Sequence, residues 1–205
     1  MGLEADLIKA CVKGNLNEVK RLVEQRNVDA AMYDNTPMRF AAEYGHVLIV
    51  DYLMKKPGVK VSHTLNWAFI VASENGHLNM VKYLMDLNNG ISHDLNENQS
   101  LLVNPATNNN QAIVSAAMYG RLNVVQYLST LPGVDPAAQD NRAIRGAYTR
   151  GHSSVVKYLS TCPGVHFVPD ELAITCRISF QETPESPRRR RKNCFLRRIS
   201  RALFG

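Results

Sequence analysis

A ten-residue phrase returns along this chain at a nearly fixed interval, and that interval restricts what the chain can fold into. It reads Gly45-His46-Val47-Leu48-Ile49-Val50-Asp51-Tyr52-Leu53-Met54, then Gly76-His77-Leu78-Asn79-Met80-Val81-Lys82-Tyr83-Leu84-Met85. Further copies start at Gly120 and Gly151, and an earlier one, Gly14-Asn15-Leu16-Asn17-Glu18-Val19-Lys20-Arg21-Leu22-Val23, precedes them all. Successive glycines stand 31, 31, 44 and 31 residues apart. A period of this length marks a solenoid, in which each unit buries its apolar face only against its neighbours.

Inside each phrase the apolar residues fall at helical spacing. In the copy at Gly45 these are Val47, Val50 and Leu53, which predicts an amphipathic helix of about ten residues. The nine residues before each glycine carry a second short apolar pattern, Thr36 to Tyr44 and its counterparts from Trp67, Gln111 and Arg142. Small pairs (Ala41-Ala42, Ala72-Ser73, Ala116-Ala117) fall at equivalent places, where two helices can approach closely. The glycine that follows suits a left-handed helix C-cap, and Pro37 suits a first turn, where a missing N–H costs nothing. Pro57-Gly58, Pro132-Gly133 and Pro163-Gly164 punctuate the units as turns. Each unit therefore reads as helix, tight turn, helix, then a projecting loop.

Thr36-Pro37-Met38-Arg39-Phe40-Ala41-Ala42-Glu43-Tyr44-Gly45-His46 resembles the ankyrin signature T-P-L-H-x-A-A-x-x-G-H, with Met38 and Arg39 in the Leu and His places. The resemblance covers residues 3–180. It implies an all-α, ankyrin-type helical solenoid of five repeats plus a terminal cap at Asp170-Glu171-Leu172-Ala173-Ile174-Thr175-Cys176. The period of 31 is shorter than the usual ankyrin repeat, and only one copy keeps Thr-Pro, the others reading Trp67-Ala68, Gln111-Ala112 and Arg142-Ala143. Short-period arrays of this kind resemble those of large viruses, amoebae and some intracellular bacteria.

The gap from Gly76 to Gly120 exceeds the others by 13 residues. An asparagine-rich stretch at 88–110 accounts for it and reads as an extended loop on one repeat, since solenoid insertions go to loops on one face. The array is expected to span 3–180, followed by a linker and a flexible basic tail at 181–205. Up to Phe180 there are 16 basic and 16 acidic residues, so the net charge of +6 resides in the last 25 residues. That neutrality argues against nucleic-acid binding by the folded body. Cys11, Cys162, Cys176 and Cys194 show no paired spacing, which points to an intracellular protein with reduced thiols. Neither a secretory start nor an apolar run of membrane-span length is read.

His46, His77 and His152 recur at one repeat position. Equivalent side chains in stacked units lie about 10 Å apart, too far to converge on a metal, so they are read as structural hydrogen-bonding groups near the inter-helix turn. No nucleophile–base, phosphate-loop or metalloprotease pattern is found. The expectation is a non-enzyme without cofactor or metal.

The two residues before each glycine end the inner helix, where the ankyrin resemblance implies a concave ligand-facing surface. They are Val12-Lys13 in the first copy, then Glu43, Tyr44, Glu74, Asn75, Met118, Tyr119, Thr149 and Arg150. They vary from repeat to repeat and include types enriched at interfaces. In the tail, Arg188, Arg189, Arg190, Arg191 and Lys192 form a basic cluster. Phe195, Ile199 and Leu203 then share one helical face, with Arg197, Arg198 and Arg201 on others. This pattern suits an anionic membrane surface, nuclear import or a partner groove, and Arg197-Arg198-Ile199-Ser200 resembles a basophilic-kinase site. The function expected is a monomeric adaptor, scaffold or inhibitor that binds another protein. Its tail sets a membrane or nuclear location. Alternatives are a host-directed effector with the same binding surface and tail-mediated nucleic-acid binding.

Overall fold

The computed structural model describes residues 2–59, 61–89 and 103–167. All lie in a compact unit, Met1–Phe167; a second unit, Val168–Gly205, falls outside the described residues. The expected cap, the linker, the tail with Ser200, and residues 90–102 are therefore not described.

The described residues form helices and turns without strands, in five pairs. The first, or inner, helices are α1 (Leu3–Lys13), α3 (Met32–Glu43), α5 (Val61–Asn75), α7 (Thr107–Met118) and α9 (Ala138–Thr149). The second, or outer, helices are α2 (Leu16–Lys20, continued by a π-helical turn), α4 (Val47–Met54), α6 (Leu78–Asp86), α8 (Leu122–Leu128) and α10 (Ser153–Leu159). Inner helices stack on inner helices and outer on outer, α1 to α9 and α2 to α10. The five expected repeats are all present.

Columns of equivalent residues fill the layers. Leu7, Met38, Phe69, Ile113 and Ile144 occupy one buried inner position; Leu22, Leu53, Leu84, Leu128 and Leu159 occupy one buried outer position. Burial of each such side chain contributes about 2 kcal/mol. Ala10, Ala41, Ala72, Ala116 and Ala147 form a third column, and their small side chains set the close spacing of the inner helices. Cys11 sits one residue further on, level with Ala42, Ser73 and Ala117, as a small buried apolar group.

Polar contacts link each repeat to the next along three lines. At the inter-helix turn, His46 Nε2 meets the Val12 carbonyl at 2.9 Å and His77 Nε2 meets the Glu43 carbonyl at 2.9 Å. In the fourth repeat Arg121 takes the same place, and its Nε donates to the Glu74 carbonyl at 2.9 Å. The His46 and His77 rings are thus bonded as the sequence predicts, whereas beside His152 the equivalent Met118 carbonyl accepts from Arg150. The equivalent Asn15 caps its own helix instead, accepting from Glu18 N–H at 3.1 Å. On the outer helices, Tyr52 donates to Glu24 and Tyr83 to Asp51, each at 2.8 Å, while Tyr158 bonds the Ser129 hydroxyl.

The third line lies at the base of the projecting loops. Asn66, Asn110 and Asn141 each stand ten residues before a repeat glycine. Their amide oxygens accept from the backbone N–H of Asn104, Asp135 and His166 in the following repeat. Before α3, α7 and α9 straighten, three consecutive residues adopt left-handed backbone: Tyr33-Asp34-Asn35, Asn108-Asn109-Asn110 and Gln139-Asp140-Asn141. Asparagine and aspartate tolerate that region best. The third repeat differs, because its equivalents Thr64 and Leu65 are buried and lack positive φ. An apolar Leu65 gains more from the core than from an exposed turn.

The extra 13 residues enter between Asn89 and Val103, where other repeats pass directly from Gly58 to Val59 or Gly133 to Val134. Asn88, which replaces the turn proline, joins the two ends: its Nδ2 donates to the Val103 carbonyl at 2.8 Å and its Oδ1 accepts from Val103 N–H at 2.9 Å. Residues 103–110 resume the ordinary repeat, so the described part of the extended loop is framework, and the insertion narrows to 90–102.

Gly45 has φ +76, and a Cβ there would lie 2.7 Å from the His77 ring. Gly133 has a similar φ of +81, but a Cβ there meets nothing within 4 Å. Gly133→Ala should cost about 1–2 kcal/mol for the left-handed backbone alone. Gly45→Ala should cost roughly 1 kcal/mol more, because the ring must leave its carbonyl. Urea-unfolding midpoints of the two variants measure the difference; equal costs would remove the ring contact from this account.

Candidate functional site

The eight positions expected to face a ligand stand at the C-terminal ends of α3, α5, α7 and α9. Tyr44, Tyr119, Thr149 and Arg150 are exposed, whereas Glu43, Glu74, Asn75 and Met118 are half-buried. They do not form one cluster. Glu43 and Asn75 meet at the inter-helix turn, where the Glu43 carbonyl accepts both Asn75 Nδ2 (3.1 Å) and His77 Nε2 (2.9 Å). The Glu74 carbonyl is taken by Arg121. Met118, Tyr119 and Arg150 come together two helices away. There the Arg150 guanidinium lies 4.6 Å from the centre of the Tyr119 ring and donates to the Met118 carbonyl at 3.0 Å. Met118 also explains Gly146, a helix-interior glycine that costs about 1 kcal/mol relative to alanine, because a Cβ on Gly146 would collide with Met118 Cγ.

Further residues share this face and escaped the sequence reading. Counting back along an inner helix, the positions two, six and nine before the glycine lie on one side, since residues three and four apart are neighbours. This places Arg39, Trp67, Arg142 and Arg145 beside the eight. The Arg39 guanidinium stacks 4.4 Å from the centre of the Trp67 ring of the next repeat and stands 3.7 Å from Asp34. Its Nε is buried without a hydrogen-bond partner. Arg145 pairs with Asp140 at 2.5 Å in the equivalent arrangement of the fifth repeat, and Arg142 donates to Gln139. The exposed loop tips Tyr33, Asp34, Asn108, Asn109 and Asp140 border the same side. The register of the glycines could have located all of them.

No group of three or more His, Cys, Asp or Glu suited to a metal occurs among the described residues. No described helix is long and apolar enough to cross a membrane. The tail residues Arg188, Arg189, Arg190, Arg191, Lys192, Phe195, Arg197, Arg198, Ile199 and Arg201 lie outside the described residues, as does Ser200.

A family model for ankyrin repeats in three copies matches residues 5–65 and 65–140. The chain belongs to the ankyrin repeat family, whose arrays are protein–protein interaction modules and in general not catalysts. All but the first three residues of the fifth helix pair lie beyond the matched residues, yet it keeps the framework: a Cβ on Gly120 would lie 2.6 Å from the His152 ring. A putative ankyrin repeat protein, L66 of Acanthamoeba polyphaga mimivirus, is 34% identical over 90 residues, covering 41% of this chain. The chain matches only 15% of the length of that curated relative.

Burial lowers the His77 pKa; the Glu43 carbonyl opposes this, and charge from His46 and Arg121 adds to it. The unfolded chain therefore takes up this proton more readily than the folded one. The stability contributed by neutral His77 is complete above the ordinary imidazole value of about 6.5 and is lost as pH falls below it toward the folded pKa. Relative to His77→Gln, which keeps an N–H donor but cannot titrate, the wild type should lose stability between neutral and mildly acidic pH. Urea midpoints of both proteins across that range test the sign, and a wild type that gains on the variant overturns it.

Burial also pushes the Cys11 thiol up to about 12, so the reactive thiolate is scarce. Alkylation near pH 8 with residue-resolved mass spectrometry should leave Cys11 unlabelled in the folded protein, label half-buried Cys162 sooner, and label both in denaturant. Equal Cys11 labelling in folded and denatured protein contradicts this placement.

Proposed function

We propose that the protein is a non-catalytic recognition module that binds a protein partner through the inner-helix face. The observation that carries this reading is the division of labour within single residues. Glu43, Glu74 and Met118 give backbone carbonyls to the framework while their half-buried side chains vary from repeat to repeat along the inner-helix face. Exposed Tyr44 and Tyr119 and the Tyr119–Arg150 stack supply rigid aromatic and guanidinium groups of the kind that dominates interface energetics. The basic tail at 181–205 sets location in this reading, its eight cations against two carboxylates drawing it to an anionic surface or an import receptor. A second reading, an effector acting on host proteins through the same face, draws support from the mimivirus relative.

The test is capture of proteins from cell lysate on the immobilised full chain, compared with a Tyr44→Ala, Met118→Ala, Tyr119→Ala variant of unchanged circular dichroism. A partner retained by the wild type should bind the variant at least about tenfold more weakly, as loss of interface anchors produces. Retention that ignores these three substitutions but disappears when the tail arginines are replaced would assign recognition to the tail.

A further inference from the structure

The inner-helix face changes its electrical character along the array. In the second and third repeats its glycine-proximal positions carry Glu43 and Glu74. In the fourth they are Met118 and Tyr119, with Gln111 further back. In the fifth, Arg142, Arg145 and Arg150 stand on or immediately after α9, and Asp140 is the one acidic residue between Ala138 and Phe167. A neutral body thus conceals a basic end. The three guanidinium groups are also held in place: Arg142 by Gln139, Arg145 by the Asp140 side chain and carbonyl, and Arg150 by the Tyr119 ring and the Met118 carbonyl. Each has five N–H donors, so these contacts orient the group and leave donors for a ligand.

We propose that this end of the face receives an acidic polypeptide segment with an interspersed apolar side chain. Its carboxylates engage Arg142, Arg145 and Arg150, and its apolar group rests on Met118 and Tyr119. The inference rests on the inner-helix face being the recognition surface, and it names the chemistry of the partner. Arginine matches carboxylates because its planar fork donates two parallel hydrogen bonds. Tyr119, stacked beneath Arg150, offers an apolar edge next to the charge. A nucleic acid fits less well. It carries phosphate at every nucleotide and needs a continuous basic track, whereas here the clustered arginines belong to one repeat and, further along the face, Glu43 and Glu74 accompany the single Arg39.

The test uses the full chain with all eight tail cations, Arg188, Arg189, Arg190, Arg191, Lys192, Arg197, Arg198 and Arg201, replaced by glutamine, so that the tail cannot hold an acidic probe. The probe is a short fluorescein-labelled peptide alternating glutamate and leucine, followed by anisotropy at low and high salt. Adding Arg142→Gln, Arg145→Gln and Arg150→Gln should weaken binding about tenfold, the combined effect of three modest ion pairs, and salt should weaken it in the same sense. The corresponding triple lysine variant keeps the charge without the planar fork and should bind between the wild type and the glutamine variant; a lysine variant as weak as the glutamine one would overturn the part assigned to charge. Affinity unchanged by the glutamine substitutions, or tighter binding of an oligothymidylate than of the peptide, overturns the proposal. If lysate capture still depends on Tyr44, Met118 and Tyr119 while the peptide ignores the arginines, the acidic-segment inference fails and protein recognition by the face survives.

Discussion

A helix that ends leaves its last carbonyls without intrahelical donors, and in this protein the donor comes from the next repeat. The ring or guanidinium after one glycine reaches the carbonyl two residues before the preceding glycine, and the preceding glycine has no Cβ to obstruct it. The partners are 34 residues apart in two of these contacts and 47 in the third. The difference of 13 equals the insertion, so the geometry is conserved while the chain length is not. Adding one residue to an inner helix would turn its end by about 100° and carry the carbonyl out of reach. The contact therefore ties the period, the helix lengths and the stacking to one another.

That constraint also explains where extra chain is accepted. Between Asn89 and Val103 an insertion passes around the framework, and Asn88 closes its stem with two hydrogen bonds to Val103. Closing a longer loop costs only about 0.6 kcal/mol per doubling of length, less than a pair of such bonds returns. Inside a helix pair the same insertion would displace the His or Arg contact and the buried columns together.

Much of the fold was legible because its determinants are local and repeated. The glycine interval, the helical spacing of Val50 and Leu53, and the small residues at Ala41-Ala42 are properties of a single strip of sequence. The histidines were legible by elimination, since stacked equivalents cannot share a metal. The contacts that escaped depend on partners in another repeat. Asn66, Asn110 and Asn141 recur in the sequence, but nothing in one repeat reveals that their acceptor oxygens serve the backbone of the next. Leu65 shows the same limit: its equivalents Asp34, Asn109 and Asp140 stand exposed in left-handed turns, whereas the core claims this side chain. Of the candidate site, the glycine-proximal positions were visible in the register, whereas the Arg39–Trp67 stack joins residues 28 positions apart in sequence, on separate helices.

The framework and the surface remain separable because they use different parts of the same residues. Glu43, Glu74 and Met118 each hold the next repeat, or a side chain of it, through a main-chain carbonyl, which any residue type provides. Their side chains differ from repeat to repeat: acidic in the second and third, a thioether packed over Gly146 in the fourth. Asn75 and Arg150 are exceptions, since their side chains bond the Glu43 and Met118 carbonyls of the preceding repeat, and a substitution at either changes framework and surface at once. The inner helix of the fifth repeat extends the same freedom to Arg142 and Arg145, whose bonds stay within their own repeat. Their charges sit on a helix held in the stack by its buried side, Ala143, Ile144 and Ala147. A solenoid built this way can alter the polarity of one segment of its face without altering its period, so the chemistry of a partner is written in side chains that the fold does not require.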